Sequence, residues 1–246
     1  MYKRQLIYNT PESLSEQQPF NHSPSQTTIT ADARLDNREF LIKDLAANQN
    51  TPDGELILLA YLKYGEDCVQ HLIGAYSFAI WDGRKNHFFC VRDHMGVRPF
   101  YYYHDQYFFA FSSCKQGLLA IPELDKSINN EYIINQVIKS KQKPISTFFK
   151  KIKRLLPAHT LVGNKDGSRE RKYWTLNIQK ETKFKKEEDY VLAFQENLAE
   201  AVQCRLRSHK NVGMELSGGL DSSGICLLYT SPSPRDATLS RMPSSA

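Results

Sequence analysis

The sequence lacks the features that would place the protein in a membrane or hold it together with disulfide bonds. Its five cysteines are widely spaced, odd in number and form no Cys-x-x-Cys pair, so we expect reduced thiols rather than a disulfide framework or a zinc site. No apolar run is long enough for a membrane-spanning helix, and the first residues lack the apolar core of a secretory signal. These absences predict a cytoplasmic protein with no membrane partner.

A large excess of one charge is also absent. The 32 Lys and Arg residues against 27 Asp and Glu residues leave a net charge of +5, and these charges are scattered along the chain. The densest basic run, residues 150–154, has no aromatic side chains that could stack on bases, so no nucleic-acid partner is predicted. With 41% hydrophobic residues, the chain can build the packed core of one large or two ordinary domains.

Hydrophobic periodicity predicts a β-rich first part and a helical segment further along. Alternating residues predict a strand over Thr27–Leu35 and a meander of four strands over residues 75–112. Helical spacing predicts helices near residues 54–73 and 130–140, and an amphipathic helix over residues 187–206. The first part is therefore expected to fold as a layered β-rich domain.

The most informative stretch is residues 217–223, which read Ser-Gly-Gly-Leu-Asp-Ser-Ser. Alternation over residues 212–216 predicts a strand that enters this loop, and a helix is expected to follow it. The two glycines leave room for an oxyanion, and the Asp and Ser side chains can cap the N–H groups of the helix. This geometry favours phosphate binding, although the absence of lysine excludes a Walker-type loop.

This loop matches the signature of the PP-loop ATP pyrophosphatases, which cleave ATP to AMP and pyrophosphate. Four further stretches accompany it: the 27–37 strand, Asp53 before a helix, and residues 92–102 and 154–159. Together they make the chain resemble the glutamine-hydrolysing asparagine synthase family over residues 7–226. In that family a glutaminase releases ammonia, aspartate is activated by ATP as β-aspartyl-AMP, and ammonia displaces AMP to give asparagine.

The resemblance implies an α+β chain with two parts. An N-terminally truncated, Ntn-type αββα glutaminase-like domain is expected over residues 1–165, and a connector over 166–186. The first helix, strand and phosphate loop of an α/β PP-loop synthetase domain follow over 187–228. A non-native or disordered tail is expected over 229–246, because its prolines interrupt a helix that should continue.

The resemblance also assigns site residues and ligands. The ATP site is carried over to the strand end and loop, namely Leu216, Ser217, Gly218, Gly219, Asp221, Ser222 and Ser223. Asp53 matches the acidic residue that receives the α-ammonium group of glutamine. ATP and Mg²⁺ are the implied cofactors, without an assigned metal ligand. The implied substrates are aspartate or another carboxylate, with glutamine or ammonia, and a homodimer is left open.

Two departures from the family pattern concern the glutaminase. The family nucleophile is a cysteine that begins the mature chain, but Met1 is followed here by Tyr2 and the first cysteine is Cys68, so no catalytic residue is assigned. The family's Asn-Gly-Glu triplet reads Asp-Ala-Arg at residues 32–34. The Arg34 guanidinium would repel the ammonium group of glutamine, at a cost of about 1–4 kcal/mol for a contact at ~4 Å.

Three functions are consistent with these observations. The favoured one is an asparagine-synthase-type amide ligase, which could use free ammonia or join another amine, as the cyclases of ribosomal peptide pathways do. The second is a non-catalytic glutaminase-like scaffold or binding module. The third, a PP-loop enzyme acting on tRNA or a nucleobase, is disfavoured by the lack of a basic, aromatic surface.

Overall fold

The computed structural model describes residues 10–141, 143–213 and 216–230. The chain divides into two compact units, Ser15–Leu176 on the one hand and Met1–Leu14 with Asn177–Ala246 on the other. None of the described helices is long and apolar enough to cross a membrane.

The larger unit contains two antiparallel sheets. Its described strands are β1 (Phe20–His22), β2 (Thr27–Leu35), β3 (Gly74–Asp82), β4 (His87–Arg92), β5 (Tyr101–His104), β6 (Phe109–Ser112), β7 (Lys153–Arg154), β8 (His159–Asn164) and β9 (Gly167–Lys172). Six of them form one sheet in the order β1-β2-β3-β4-β8-β9, and three form another in the order β6-β5-β7.

The described α-helices are α1 (Arg38–Leu45), α2 (Asp53–Tyr64), α3 (Lys115–Leu119), α4 (Asn130–Val137), α5 (Glu187–Gln203) and α6 (Leu220–Thr230). The first four belong to the larger unit and the last two to the smaller one. Short 3₁₀ turns lie at Glu12–Leu14, Ser23–Ser25, Gly65–Gln70 and Cys204–Leu206.

Three hydrophobic clusters define the layers of the larger unit. Leu41 of α1 and Leu56 of α2 pack with Phe78 and other residues on one face of the six-stranded sheet. On the opposite face, Cys90 of β4 belongs to a cluster with Tyr102 of β5, which joins the two sheets. A third cluster packs the three-stranded sheet against α3, through the buried residues Tyr103, Leu118, Leu124 and Ile152. The α+β class and the αββα layering predicted from the resemblance are therefore confirmed.

Several predicted elements are confirmed closely because their patterns are local. β2 and β4 have the predicted bounds, and α2 and α4 lie where helical spacing placed them. In β2, Ile29, Ala31 and Leu35 are buried while the residues between them are half-exposed. The apolar residues of the predicted alternation therefore face the helix layer, and the residues between them face the other side of the sheet.

Two predictions about connectivity are wrong. The four strands of residues 75–112 form no single meander, because β3 and β4 lie in one sheet and β5 and β6 in the other. The connector predicted over 166–186 is in part β9, which pairs with β8 at the sheet edge. Its side chains are polar on both faces, so it shows no hydrophobic alternation.

The strand predicted over residues 212–216 is not found in its described part. Residues 212, 213 and 216 have no strand assignment, and residues 214 and 215 lie outside the described chain. A strand needs a neighbour to receive its backbone hydrogen bonds. In the described part of the smaller unit there is no strand to serve as that neighbour.

Gly74, which begins β3, is expected to tolerate no side chain. Its φ is +149°, and a Cβ there would overlap the Arg34 carbonyl oxygen. We expect Gly74→Ala to lower the free energy of unfolding by about 1–3 kcal/mol, measured by urea unfolding. Gly167→Ala is the matched control, because Gly167 has a similar φ of +156° but open space around its Cβ position. Equal losses in both variants would contradict the proposed overlap.

Candidate functional site

The glycine-rich loop leads directly into α6 and brings two hydroxyl groups together. The Oγ atoms of Ser217 and Ser222 are 3.0 Å apart. Ser222 Oγ also donates a hydrogen bond to the Gly219 carbonyl oxygen at 3.1 Å, and the Gly219 N–H donates to Ser217 Oγ at 3.4 Å. Both hydroxyls therefore lie at the N-terminal end of α6, where the helix dipole is positive.

The same loop leaves space for a bound anion. Gly218 has a φ of +77°, which favours glycine, and a Cβ there would meet no described atom within 4 Å. A Cβ on Gly219 would approach only Ser217 Oγ, at 3.5 Å, among the described residues. Leu216 and Leu220 on either side are exposed, so the loop is open to a ligand.

The remaining predicted residues of the loop form the first turn of α6. Asp221 supplies a carboxylate in that turn, and the Ser223 N–H donates a backbone hydrogen bond to Gly219 at 3.1 Å. The hydroxyls, the open glycines and the helix end fit a phosphate group. No group of three His, Cys, Asp or Glu residues in the described chain is arranged to hold a metal ion.

Asp53 lies far along the chain from this loop and is engaged in a buried ion pair. Its Oδ1 accepts a hydrogen bond from Arg38 Nη1 at 2.7 Å, and its Oδ2 accepts one from the Leu35 N–H at 3.0 Å. Asp53 and Arg38 are each 6% exposed. The contact ties the end of β2 to the start of α2. Binding of glutamine by Asp53 stays a prediction, and Arg38 would compete with the ammonium group for that carboxylate.

The Asp-Ala-Arg triplet lies at the end of β2, where Asp32 meets a cation. Arg98 Nε is 3.3 Å from Asp32 Oδ1. Burial raises the pKa of Asp32, and Arg98 lowers it in part. Asp32 and Arg34 are two residues apart on the strand, so their side chains lie on the same face of the sheet. With Arg98 beside Asp32, these three side chains carry two positive charges and one negative charge, which disfavours an ammonium ligand.

A tight turn places Arg98 next to Asp32. The fully buried Asp93 accepts hydrogen bonds from the N–H groups of Met95, Val97 and Arg98, at 3.1, 2.9 and 2.9 Å. Arg92 binds three carbonyl oxygens, including that of Arg98 at 2.7 Å. The family resemblance includes residues 92–102, but sequence reasoning missed the roles of Arg98 and Arg38, because no local pattern pairs them with carboxylates so far along the chain.

Two internal cysteines of the larger unit, Cys68 and Cys90, offer no reactive thiolate. Cys68 and Cys90 are both 0% exposed, and burial raises the pKa of each thiol well above its usual range. A thiol in such surroundings stays protonated and inert. The five cysteines are free thiols.

Comparisons with known proteins identify the two parts of the chain. Residues 10–174 match the model of the glutamine amidotransferase domain, and residues 193–240 match that of asparagine synthase. The second match includes residues 229–240, part of the segment predicted to be a non-native tail. Residues 231–246 of that segment lie outside the described chain.

The curated relatives include asparagine synthetases. The glutamine-hydrolysing asparagine synthetase 3 of Bacillus subtilis is 36% identical over 80% of this chain and 33% of its own length. A putative asparagine synthetase of Methanocaldococcus jannaschii is 39% identical over 70% of this chain and 34% of its own length. Amidase chyE of Penicillium rubens is 29% identical over 87% of the chain. The chain spans about a third of the length of these relatives.

A solved structure of glutamine phosphoribosylpyrophosphate amidotransferase from B. subtilis is similar over 65% of this chain and 32% of its own, with a TM-score of 0.43 and 16% identity. The family match covers more than half of the sequence, and the resemblance read from the motifs is confirmed. The chain belongs to the glutamine amidotransferase domain family, and the start of an asparagine synthase domain follows that domain.

Proposed function

We propose that the complete protein is an ATP-dependent amide-forming ligase of the asparagine synthase type. The observation that carries this proposal is the open Ser-Gly-Gly loop at the N-terminus of α6, where Ser217 and Ser222 share a 3.0 Å contact. The match of residues 193–240 to asparagine synthase supports it. The reaction converts aspartate, ATP and ammonia or glutamine to asparagine, AMP and pyrophosphate, and this chain is a piece of that enzyme.

The loop residues have distinct roles in this proposal. ATP is a substrate that activates the carboxylate by forming an acyl-adenylate and releasing pyrophosphate. The N–H groups and hydroxyls of the loop bind the departing phosphates, and Gly218 and Gly219 leave room for them. The Asp221 carboxylate stabilises the first turn of α6 and helps to position Mg²⁺ near the phosphates.

The glutaminase part is proposed to be inactive in the 246-residue chain. Cys68 and Cys90 are buried, and an internal cysteine lacks the α-amine that serves as the base in this chemistry. We expect no release of glutamate from glutamine, measured by a coupled glutamate assay. Release that persists after replacement of all cysteines, or that requires Cys68, would contradict this expectation.

A second candidate is a glutaminase-like module that binds or scaffolds without catalysis. The ion pair of Asp32 with Arg98, beside Arg34, favours it because the triplet no longer suits an ammonium ligand. ATP–pyrophosphate exchange by the complete protein separates the candidates, since a scaffold would show none. A cytoplasmic location and a homodimer stay predictions.

A further inference from the structure

A half-enclosed cavity of about 300 Å³ lies between β1, β2 and the start of α2. Its apolar walls include Phe20, Ile29, Ala31 and Pro52. The ionisable side chains that line it within the described chain are two carboxylates, those of Glu16 and Glu55. A matching ligand must combine a small apolar body with a positive charge.

The Glu16 carboxylate is held in place by its neighbours. The Gln18 side chain and the Gly54 backbone lie beside it, and both lower its pKa. The Gln18 amide is itself fixed by Ala31, through contacts of 2.7 and 2.8 Å to the backbone carbonyl and N–H. A Cβ on residue 54 would lie 2.6 Å from Glu16 Oε1, so glycine at that position makes room for the carboxylate.

The carboxylates near this end of the cavity differ in their partners. Asp53 is paired with Arg38, and Asp32 with Arg98. Glu16 forms no ion pair with a Lys or Arg of the described residues, and its polar neighbours Gln18 and Gly54 are neutral. Burial, followed by the charges of Asp53 and Asp32, raises its pKa. A carboxylate offers about four acceptor positions, so a ligand can use those that Gly54 and Gln18 leave open.

We infer that this cavity binds a small organic cation with a primary ammonium group on an apolar stem, and that Glu16 is its counter-ion. The ammonium group donates up to three hydrogen bonds, while the stem packs against Phe20 and Ile29. A free amino acid fits less well, because no Lys or Arg of the described chain lines the cavity to pair with its carboxylate. The inference involves no residue of the 217–223 loop and does not rest on the proposed ligase activity.

Calorimetric titration of the 246-residue chain with n-butylammonium chloride near neutral pH tests the inference. We expect saturable binding that is at least about tenfold weaker in Glu16→Gln, because the variant loses a charge-assisted hydrogen bond. Glu39→Gln is the matched control, because Glu39 is an exposed carboxylate of α1 outside the cavity lining, and the affinity of this variant is expected to stay within about threefold of the unmodified chain. L-Glutamine is expected to bind at least about tenfold more weakly than n-butylammonium.

A second measurement keeps the test independent of whether the variant folds. Saturating n-butylammonium should lower the pKa of Glu16 in the unmodified chain, followed by carbon NMR, because a bound cation favours the ionised carboxylate. Absence of saturable binding, an unchanged Glu16 pKa, or equal affinity in folded Glu16→Gln would overturn the inference. A larger loss in Glu39→Gln, or tighter binding of L-glutamine, would also overturn it.

Discussion

Replacing Gly219 by valine in the complete protein is expected to lower the rate of ATP–pyrophosphate exchange by about 10²- to 10³-fold. In the structure a Cβ at this position meets only Ser217 Oγ, at 3.5 Å, among the described residues, so the loop tolerates a side chain when no ligand is bound. The branched side chain would instead fill the space that a phosphate group needs. The loss should therefore appear in exchange and not in stability.

A control variant and a second loop variant accompany this prediction. Gly224→Val places the same side chain in open space further along α6, and its exchange rate is expected to stay within about twofold of the unmodified protein. Asp221→Ala should lower the rate of exchange, because it removes the carboxylate that helps to hold Mg²⁺ near the phosphates. Normal exchange in both Gly219→Val and Asp221→Ala would show that the loop does not bind the phosphates of ATP.

Breaking the Arg38–Asp53 ion pair is expected to have the largest effect on stability. The two side chains meet at 2.7 Å and are 7% and 6% exposed, so removing one leaves the other buried without its opposite charge. We expect Arg38→Met and Asp53→Asn each to lower the free energy of unfolding by about 3–5 kcal/mol, measured by urea unfolding. Replacing both residues by apolar ones should cost less than either single change.

An exposed ion pair of the same unit is the control. Lys143 and Glu131 are 3.7 Å apart and 76% and 69% exposed, and Lys143→Ala should cost less than about 1 kcal/mol. A loss below about 1 kcal/mol in both Arg38→Met and Asp53→Asn would contradict a structural role for the buried pair. Asp53 would then be available as the glutamine ligand that the family resemblance predicts.

The elements that could be predicted from sequence are those whose signal is local. β2 alternates between buried and half-exposed residues, whereas β4 is a short run of residues that are nearly all buried. α2 shows helical spacing after Pro52, so local patterns located all three elements. The glycine-rich loop could be identified because its glycines and hydroxyls are consecutive. Phosphate binding by this loop stays a prediction.

Features that depend on distant residues could not be predicted in this way. The turn from Asp93 to Arg98 carries the chain from one sheet to the other, and no local pattern indicates which sheet β5 joins. Arg98 reaches Asp32 only because that turn is closed by Asp93. β9 is an exposed edge strand whose pairing with β8 determines its structure, while its own residues resemble a connector.

The central claim, that the complete protein activates a carboxylate as an adenylate, is tested most directly by following oxygen. The complete protein is incubated with ATP, ammonium and aspartate labelled with ¹⁸O in its side-chain carboxylate, and the products are analysed by mass spectrometry. In the proposed reaction this carboxylate attacks the α-phosphorus and pyrophosphate leaves. Ammonia then displaces AMP, which retains the carboxylate oxygen. The account predicts ¹⁸O in AMP and none in pyrophosphate, whereas formation of ADP and labelled phosphate would contradict it.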